Sequence, residues 1–262
     1  MTPPIVIAGF FDILGFKELI ELSEREWDTA IEKVKLIDSM LRKLFTPRDS
    51  GGLVRFFSDN VYISVPLENV TDVRPDNLFW FFRQLYEMQW FFVEVGIFIR
   101  GGISVGTQYV TDTTLFGTAL VRAYLAESKY AKVPRIVVDQ SFIAALDNYE
   151  NSMTGHGASN TRLLIRKDED GILFMDYMSL WDDWTWFDSF KTEKFKTHRE
   201  QIIASINGTT DETTLNKYLW LAKYHNVYGT QNDAPIDLKK AFKGKLPSEL
   251  LTKNILVIEE LS

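Results

Sequence analysis

The 262-residue chain has no cysteine. Disulfides, thiolate zinc sites, iron–sulfur ligation and thiol catalysis are therefore excluded. Histidine is scarce, and His156, His198 and His225 lack the spacing of a zinc site. The net charge is −7, with no basic excess of the kind a general nucleic-acid binder presents. A run of Lys239, Lys240, Lys243 and Lys245 reads as a solvated face. No uncharged apolar run is long enough for a membrane span, because Arg83, Glu87 and Glu94 interrupt the stretch Leu78–Ile99. The N-terminus has no basic flank and carries Asp12 inside its apolar run, unlike a signal peptide. A cytoplasmic location is the expectation. A Gly-Lys-Ser/Thr phosphate loop, a dinucleotide fingerprint and a nucleophile elbow are all missing.

What remains is an ordinary globular composition, 45% apolar and 25% charged. Ile5–Phe11 reads as a buried strand, and residues 16–45 as a helix from Ala30, Val34, Ile37, Leu41 and Leu44. Leu53–Phe57 and Val61–Val65 flank Ser58-Asp59-Asn60 as a hairpin. A helix is expected over 76–95 and a strand over 97–105. A helix over 118–132, a strand over 135–138 and a hairpin around Asp170-Gly171 follow. The pattern is mostly helical from Asp188 onward. This order predicts an α/β (α+β) chain on a largely antiparallel sheet with packed helices, and a helical C-terminal extension. A boundary near 180 would separate a domain over 1–180 from an extension over 181–262 that packs on it.

Four segments carry chemistry. Asp12, in Phe10-Phe11-Asp12-Ile13-Leu14-Gly15-Phe16, sits among apolar neighbours at a strand end before a helix. It suits a metal ligand followed by backbone N–H groups aimed at phosphate, and equally a helix cap. Asp59 stands at a hairpin tip, where Asp-Asn is also an ordinary turn pair. Arg100 lies in an apolar strand before Gly101 and Gly102; it needs an anionic partner, either a ligand or a structural carboxylate. Phe116-Gly117 opens a helix that runs into Pro134-Arg135-Ile136 and a strand.

In this order, the four segments resemble the class III nucleotide cyclase domain, over roughly residues 5–180. The compact length, the serine before Asp59 and the Phe116–Ile136 stretch resemble most the bacterial pyrimidine cyclases of Pycsar anti-phage defence. The resemblance implies a ferredoxin-like sheet and conversion of UTP or CTP to the 3′,5′-cyclic monophosphate and pyrophosphate. It further implies two Mn²⁺ or Mg²⁺ ions held by Asp12, Asp59 and the Ile13 carbonyl. Leu14, Gly15, Phe16 and Lys17 would cradle the terminal phosphates, with Arg100 and the late-hairpin Lys167, or its neighbour Arg166, as further cations. The position four before the hairpin aspartate, Arg55, would read the base beside Phe57, and Thr114 would face it from a second position. Arginine offers only donors, which favours a carbonyl-bearing base such as uracil over adenine. A surface arginine stacked on Phe57 is the other reading of Arg55.

The chain departs from the family at Val121 and Leu125, where purine cyclases carry an asparagine and an arginine. Arg122 is the candidate stand-in. A site split between metal and base halves implies a C₂ homodimer. The product would be a second messenger sensed by a downstream effector. A purine cyclase and a degenerate nucleotide-binding dimerisation module are the alternatives. The aromatic helix from Phe79 to Phe92 reads as core or as a dimer contact.

Overall fold

The structure is a computed structural model that describes residues 3–46, 51–67, 77–152, 161–179, 188–229 and 236. Pro47, Ser50, Asn69, Asp76, His156 and the Lys239–Lys245 run lie outside the described residues. The chain forms two compact units, Met1–Tyr177 and Met178–Ser262.

The first unit is built on a seven-stranded sheet, ordered β2-β3-β1-β4-β7-β9-β8. Its strands are β1 (Ile5–Leu14), β2 (Leu53–Phe57), β3 (Asn60–Pro66), β4 (Phe98–Thr107), β7 (Ile136–Val138), β8 (Ile165–Lys167) and β9 (Leu173–Met175). Every pairing is antiparallel except β4 with β7. Helices α1 (Phe16–Arg25) and α2 (Trp27–Phe45) join β1 to β2, and α3 (Asn77–Glu94) joins β3 to β4. The first half is thus a βαββαβ unit with sheet order β2-β3-β1-β4, the ferredoxin-like arrangement. A small ribbon of β5 (Tyr109–Val110) and β6 (Leu115–Phe116) leads into α4 (Thr118–Leu125), and α5 (Gln140–Ser152) follows β7.

β1 is central, pairs with β3 and β4 along its length, and is buried from Val6 to Phe11. Alternation divides its side chains between two layers. Val6, Ala8 and Phe10 pack with Tyr62 of β3 and with Ala119 and Ala123 of α4. Phe11 points the other way, its ring filling the space a side chain at Gly9 or Gly101 would need. α2, α3 and α5 cover that second face.

Several elements differ from the periodicity. The single helix expected over 16–45 breaks at Glu26, whose backbone is non-helical (φ −137°, ψ 67°). No glycine or proline marks that break. The helix expected over 118–132 stays α-helical only to Leu125 and continues as a π-helical turn, Ala126–Tyr130. The β5–β6 ribbon and α5 were not anticipated.

The second unit contains α6 (Asp188–Gly208) and α7 (Glu212–Gly229). Asp211 caps α7, its Oδ2 accepting from the Thr214 N–H at 2.7 Å. Phe195, His198, Ile202 and Ile206 of α6 are buried, as are Leu215, Leu221, Ala222 and His225 of α7. His198 and His225 share a 2.8 Å Nδ1–Nδ1 hydrogen bond. Burial holds His198 well below the usual imidazole range, and its histidine neighbour adds to this. No helix among the described residues is long and apolar enough to cross a membrane.

Candidate active site

The site begins where β1 meets the β2–β3 turn. Asp12 is opposite Asn60 on β3 and Arg100 on β4, so Phe57, Asn60, Asp12 and Arg100 form one row across four strands. The turn is tight because Ser58 adopts the left-handed conformation (φ 55°). The Ile13 N–H donates to the Asp59 carbonyl at 2.8 Å, which fixes Asp59 beside the end of β1. The Asp59 Oδ1 accepts from Asn60 Nδ2 at 2.6 Å. Two carboxylates distant in sequence are thereby set at one strand end.

β1 then gives way to α1 through Gly15, whose left-handed backbone (φ 79°) is the N-cap. The N-cap glycine has no side chain to cap this helix, so its first N–H groups are left to solvent or a ligand. Phe16 is buried against Phe56, ring centroids 6.1 Å apart, and this contact anchors the helix start. Leu14 is half-buried, while Lys17 is exposed and pairs with Glu21 at 3.6 Å. The donors here are backbone groups rather than the Leu14 and Phe16 side chains.

Arg100 has protein partners. Its Nε and Nη2 both reach Asp12 Oδ2 at 2.5 Å, its Nη2 lies 3.1 Å from Glu127 Oε1, and its Nη1 donates to the Ala131 carbonyl at 3.3 Å. Asp12 Oδ1 has no hydrogen-bond partner among the described residues. Glu127 is the residue that sequence reasoning missed. It lies in the π-helical turn, is buried, and its Oε1 makes an ion pair but accepts no hydrogen bond. Burial pushes its carboxyl upward, Arg100 pulls it back, and the charges of Asp12 and Asp59 push it up again. Glu127 therefore feels the charges of both aspartates. A signal did exist in the sequence: Ala119, Ala123 and Glu127 follow one another at four-residue steps, an acid ending a stripe of small buried residues.

The glycines after Arg100 permit close approach, and what approaches Gly102 is protein backbone. A side chain at Gly102 would meet the Ala123 carbonyl oxygen at 2.4 Å, Ala126 Cβ at 2.5 Å and the Glu127 nitrogen at 2.7 Å. α4 and its π turn thus lie directly on β4, with the Ser104 hydroxyl bonded to the Ala119 carbonyl at 2.7 Å.

The other candidate residues are placed as follows. Arg55 is exposed on β2, one row below Phe57 on the same face. Two strand spacings and two residues put it about 12 Å from Asp12. Phe57 is half exposed and touches Phe10, whose ring also meets Tyr124 edge-on at 5.4 Å. Thr114 is exposed in the β5–β6 turn, where its N–H donates to Thr111 Oγ1. The Arg122 guanidinium donates to the Val105 carbonyl at 2.9 Å, five residues along β4 from Arg100. Lys167 is exposed on edge strand β8, four strands from β1, or about 19 Å. Arg166 lies 4.0 Å from Asp176. Within one chain, then, Asp12, Ile13, Asp59, Arg100 and the start of α1 come together. Arg122, Thr114 and Lys167 stand apart from them.

A divalent cation fits this donor set. Among the described residues no group of three His, Cys, Asp or Glu could hold a metal ion. Magnesium and manganese, however, need only one or two carboxylates when phosphate and water complete the shell. Asp12, Asp59 and the Ile13 carbonyl are hard oxygen donors of that kind.

No family model and no curated protein matches the chain. Among solved structures, the guanylyl cyclase Cya2 is similar at 13% identity, over 66% of this chain and 93% of its own, with a TM-score of 0.40. An adenylate/guanylate cyclase/hydrolase from Silicibacter pomeroyi is similar at 16% identity, over 66% and 95% respectively, with a TM-score of 0.39. A bacterial light-regulated adenylyl cyclase is similar at 18% identity over 55% of this chain, with a TM-score of 0.38. The chain spans 46% of that protein's length.

Proposed function

We propose that the chain is a nucleotide cyclase that converts a pyrimidine nucleoside triphosphate, UTP before CTP, to its 3′,5′-cyclic monophosphate and pyrophosphate. The observation that carries this reading is the pair of carboxylates, Asp12 and Asp59, set at one strand end by the Ile13–Asp59 backbone hydrogen bond and followed at once by an uncapped helix.

Asp12, Asp59 and the Ile13 carbonyl would hold two Mn²⁺ or Mg²⁺ ions. When bound, such ions neutralise the triphosphate and make the 3′-hydroxyl a better nucleophile. The chain's own work is positioning and charge balance. The first N–H groups of α1, from Phe16 and Lys17, bind the terminal phosphates at the positive end of the helix. Arg100 supplies the side-chain cation. Arg55 donates to a base carbonyl, and the exposed Phe57 ring offers the base an apolar face. Thr114, Arg122 and Lys167 lie away from Asp12 in one chain, so they serve a site only from a second copy. A C₂ homodimer with two sites follows. Its surface would be the exposed apolar group of Tyr109, Phe116, Val121 and Tyr124 on the ribbon and α4. In anti-phage defence the cyclic product would act as the alarm signal for a separate effector.

One observation favours a second reading. Val121 and Leu125 are exposed apolar residues on α4 where a purine cyclase would need polar ones. That suits a nucleotide-binding dimerisation module without turnover. Incubating the purified chain with each of the four triphosphates and Mn²⁺ separates the readings. Cyclic UMP or cyclic CMP with equimolar pyrophosphate, abolished by Asp59→Ala, is the expected result. Exclusive conversion of ATP would overturn the base assignment. Equal absence of turnover in both proteins, with nucleotide still bound, would establish the module.

A further inference from the structure

We infer that Glu127 is a positioning residue: it shares the Arg100 guanidinium with Asp12 and, by drawing that cation aside, sets how readily Asp12 takes a divalent metal ion. This rests on the reading of Asp12 and Asp59 as metal ligands.

One guanidinium stands between two carboxylates. On one side, Nε and Nη2 converge on Asp12 Oδ2 at 2.5 Å. On the other, Nη2 is 3.1 Å from Glu127 Oε1. A cation so close to a ligand oxygen competes for its lone pairs and repels an arriving divalent ion. Although Oδ1 is open among the described residues, binding is therefore weaker while Arg100 holds Asp12 through Oδ2. Water can answer little of this charge, because Arg100 is three-quarters buried and tied to the Ala131 carbonyl. It needs an anion within reach, and Glu127 is that anion.

The surroundings of Glu127 fit this role. Its carboxylate is 5% exposed, and its Oε1 accepts no hydrogen bond. A buried carboxylate oxygen in that state is costly unless a cation answers it. The nearby Lys132 adds a favourable charge but no ion pair with Glu127 among the described residues; its ammonium donates to the Ser128 carbonyl at 2.6 Å. Arg100 is thus the cation Glu127 lacks a full bond to, and a small rotation would complete that bond. The π-helical turn sets Glu127 against β4, and Gly102 lets its backbone come within van der Waals contact of the strand.

The test is Mn²⁺ binding to the full chain without nucleotide, followed by electron paramagnetic resonance, in a double-mutant cycle. Glu127→Gln leaves Arg100 wholly on Asp12 and should weaken Mn²⁺ binding about tenfold, the worth of one charge-assisted bond. Arg100→Gln should tighten binding, and in that background Glu127→Gln should change it less than about twofold. Should Glu127→Gln prove neutral, or weaken binding equally in both backgrounds, Glu127 does not act through Arg100 and the inference fails. Wild-type protein that binds no Mn²⁺ would instead remove the metal reading, and this inference with it. Glu127→Asp keeps the charge at shorter reach and should show part of the loss. It decides the matter if the glutamine variant does not melt cooperatively, and wild-type affinity in it would overturn the inference.

Discussion

Substituting Gly102 by alanine probes both the packing of α4 and the electrostatics of the site. Relieving the 2.4 Å contact with the Ala123 carbonyl oxygen to an ordinary 3.4 Å needs a shift of about 1 Å. The atoms in the way include backbone of α4 and the π turn, which no side-chain rotation can move. Overpacking of this kind costs about 1–3 kcal/mol, and backbone contacts place Gly102 at the upper end. Loss of glycine's freedom in the unfolded chain offsets roughly 0.4–1 kcal/mol. A net loss of about 2 kcal/mol lowers the melting temperature by roughly 4–8 °C for a unit of this size. The same shift opens the 3.1 Å Arg100–Glu127 contact to about 4 Å, so Mn²⁺ affinity should fall as well. Thermal melts and an Mn²⁺ titration measure the two effects. Gly208→Ala is the control, because nothing lies within 4 Å of the added methyl there. A Gly102→Ala protein that melts within about 1 °C of wild type would refute the account of α4 seated on β4.

Arg135 is 2% exposed and forks between Asp168, Asp170 and the Tyr130 carbonyl, tying the β8–β9 turn to the π-helical turn. Arg135→Ala should cost on the order of 3 kcal/mol, the low end for a buried pair because Asp170 keeps water, and urea denaturation would show it. The depressed His198 makes the folded chain bind fewer protons than the unfolded one below pH 6.5. Stability of the second unit should be complete above that pH and fall as pH drops, by up to ~1.4 kcal/mol per pH unit, in melts followed from pH 7.5 to 5. A flat profile would show that the histidine is already free of its burial penalty. In the proposed homodimer, Phe116→Glu places a charge on a residue that is 72% exposed and should leave the fold intact while shifting the sedimentation of the chain to that of a monomer; an unchanged sedimentation would remove this surface from the dimer.

Much of this architecture was legible in the chain. A continuous apolar run gave β1, the hairpin signature gave β2 and β3, and helical spacing gave α2, because burial and turn chemistry mark those segments directly. The Asp59 turn was readable from Ser-Asp-Asn between two strands, and the stop of α3 from Gly96, whose φ is 75°. The break at Glu26 was not readable, since a glutamate has no helix-breaking chemistry. Nor was the π turn, which is an i→i+5 closure that leaves no compositional mark.

For the site, the sequence by itself determined which residues could do chemistry: two aspartates, an arginine in an apolar strand, and a glycine before a helix. Tertiary structure alone decided their partners. Arg100 needed an anion on any reading, but only the β1–β4 register gives it Asp12, and only the seating of α4 on Gly102 adds Glu127. The same holds for His198 and His225, scattered in the sequence and 2.8 Å apart in the fold. Spacing along a chain fixes periodicity, whereas the pairing of charges across strands depends on register, a property of two segments at once.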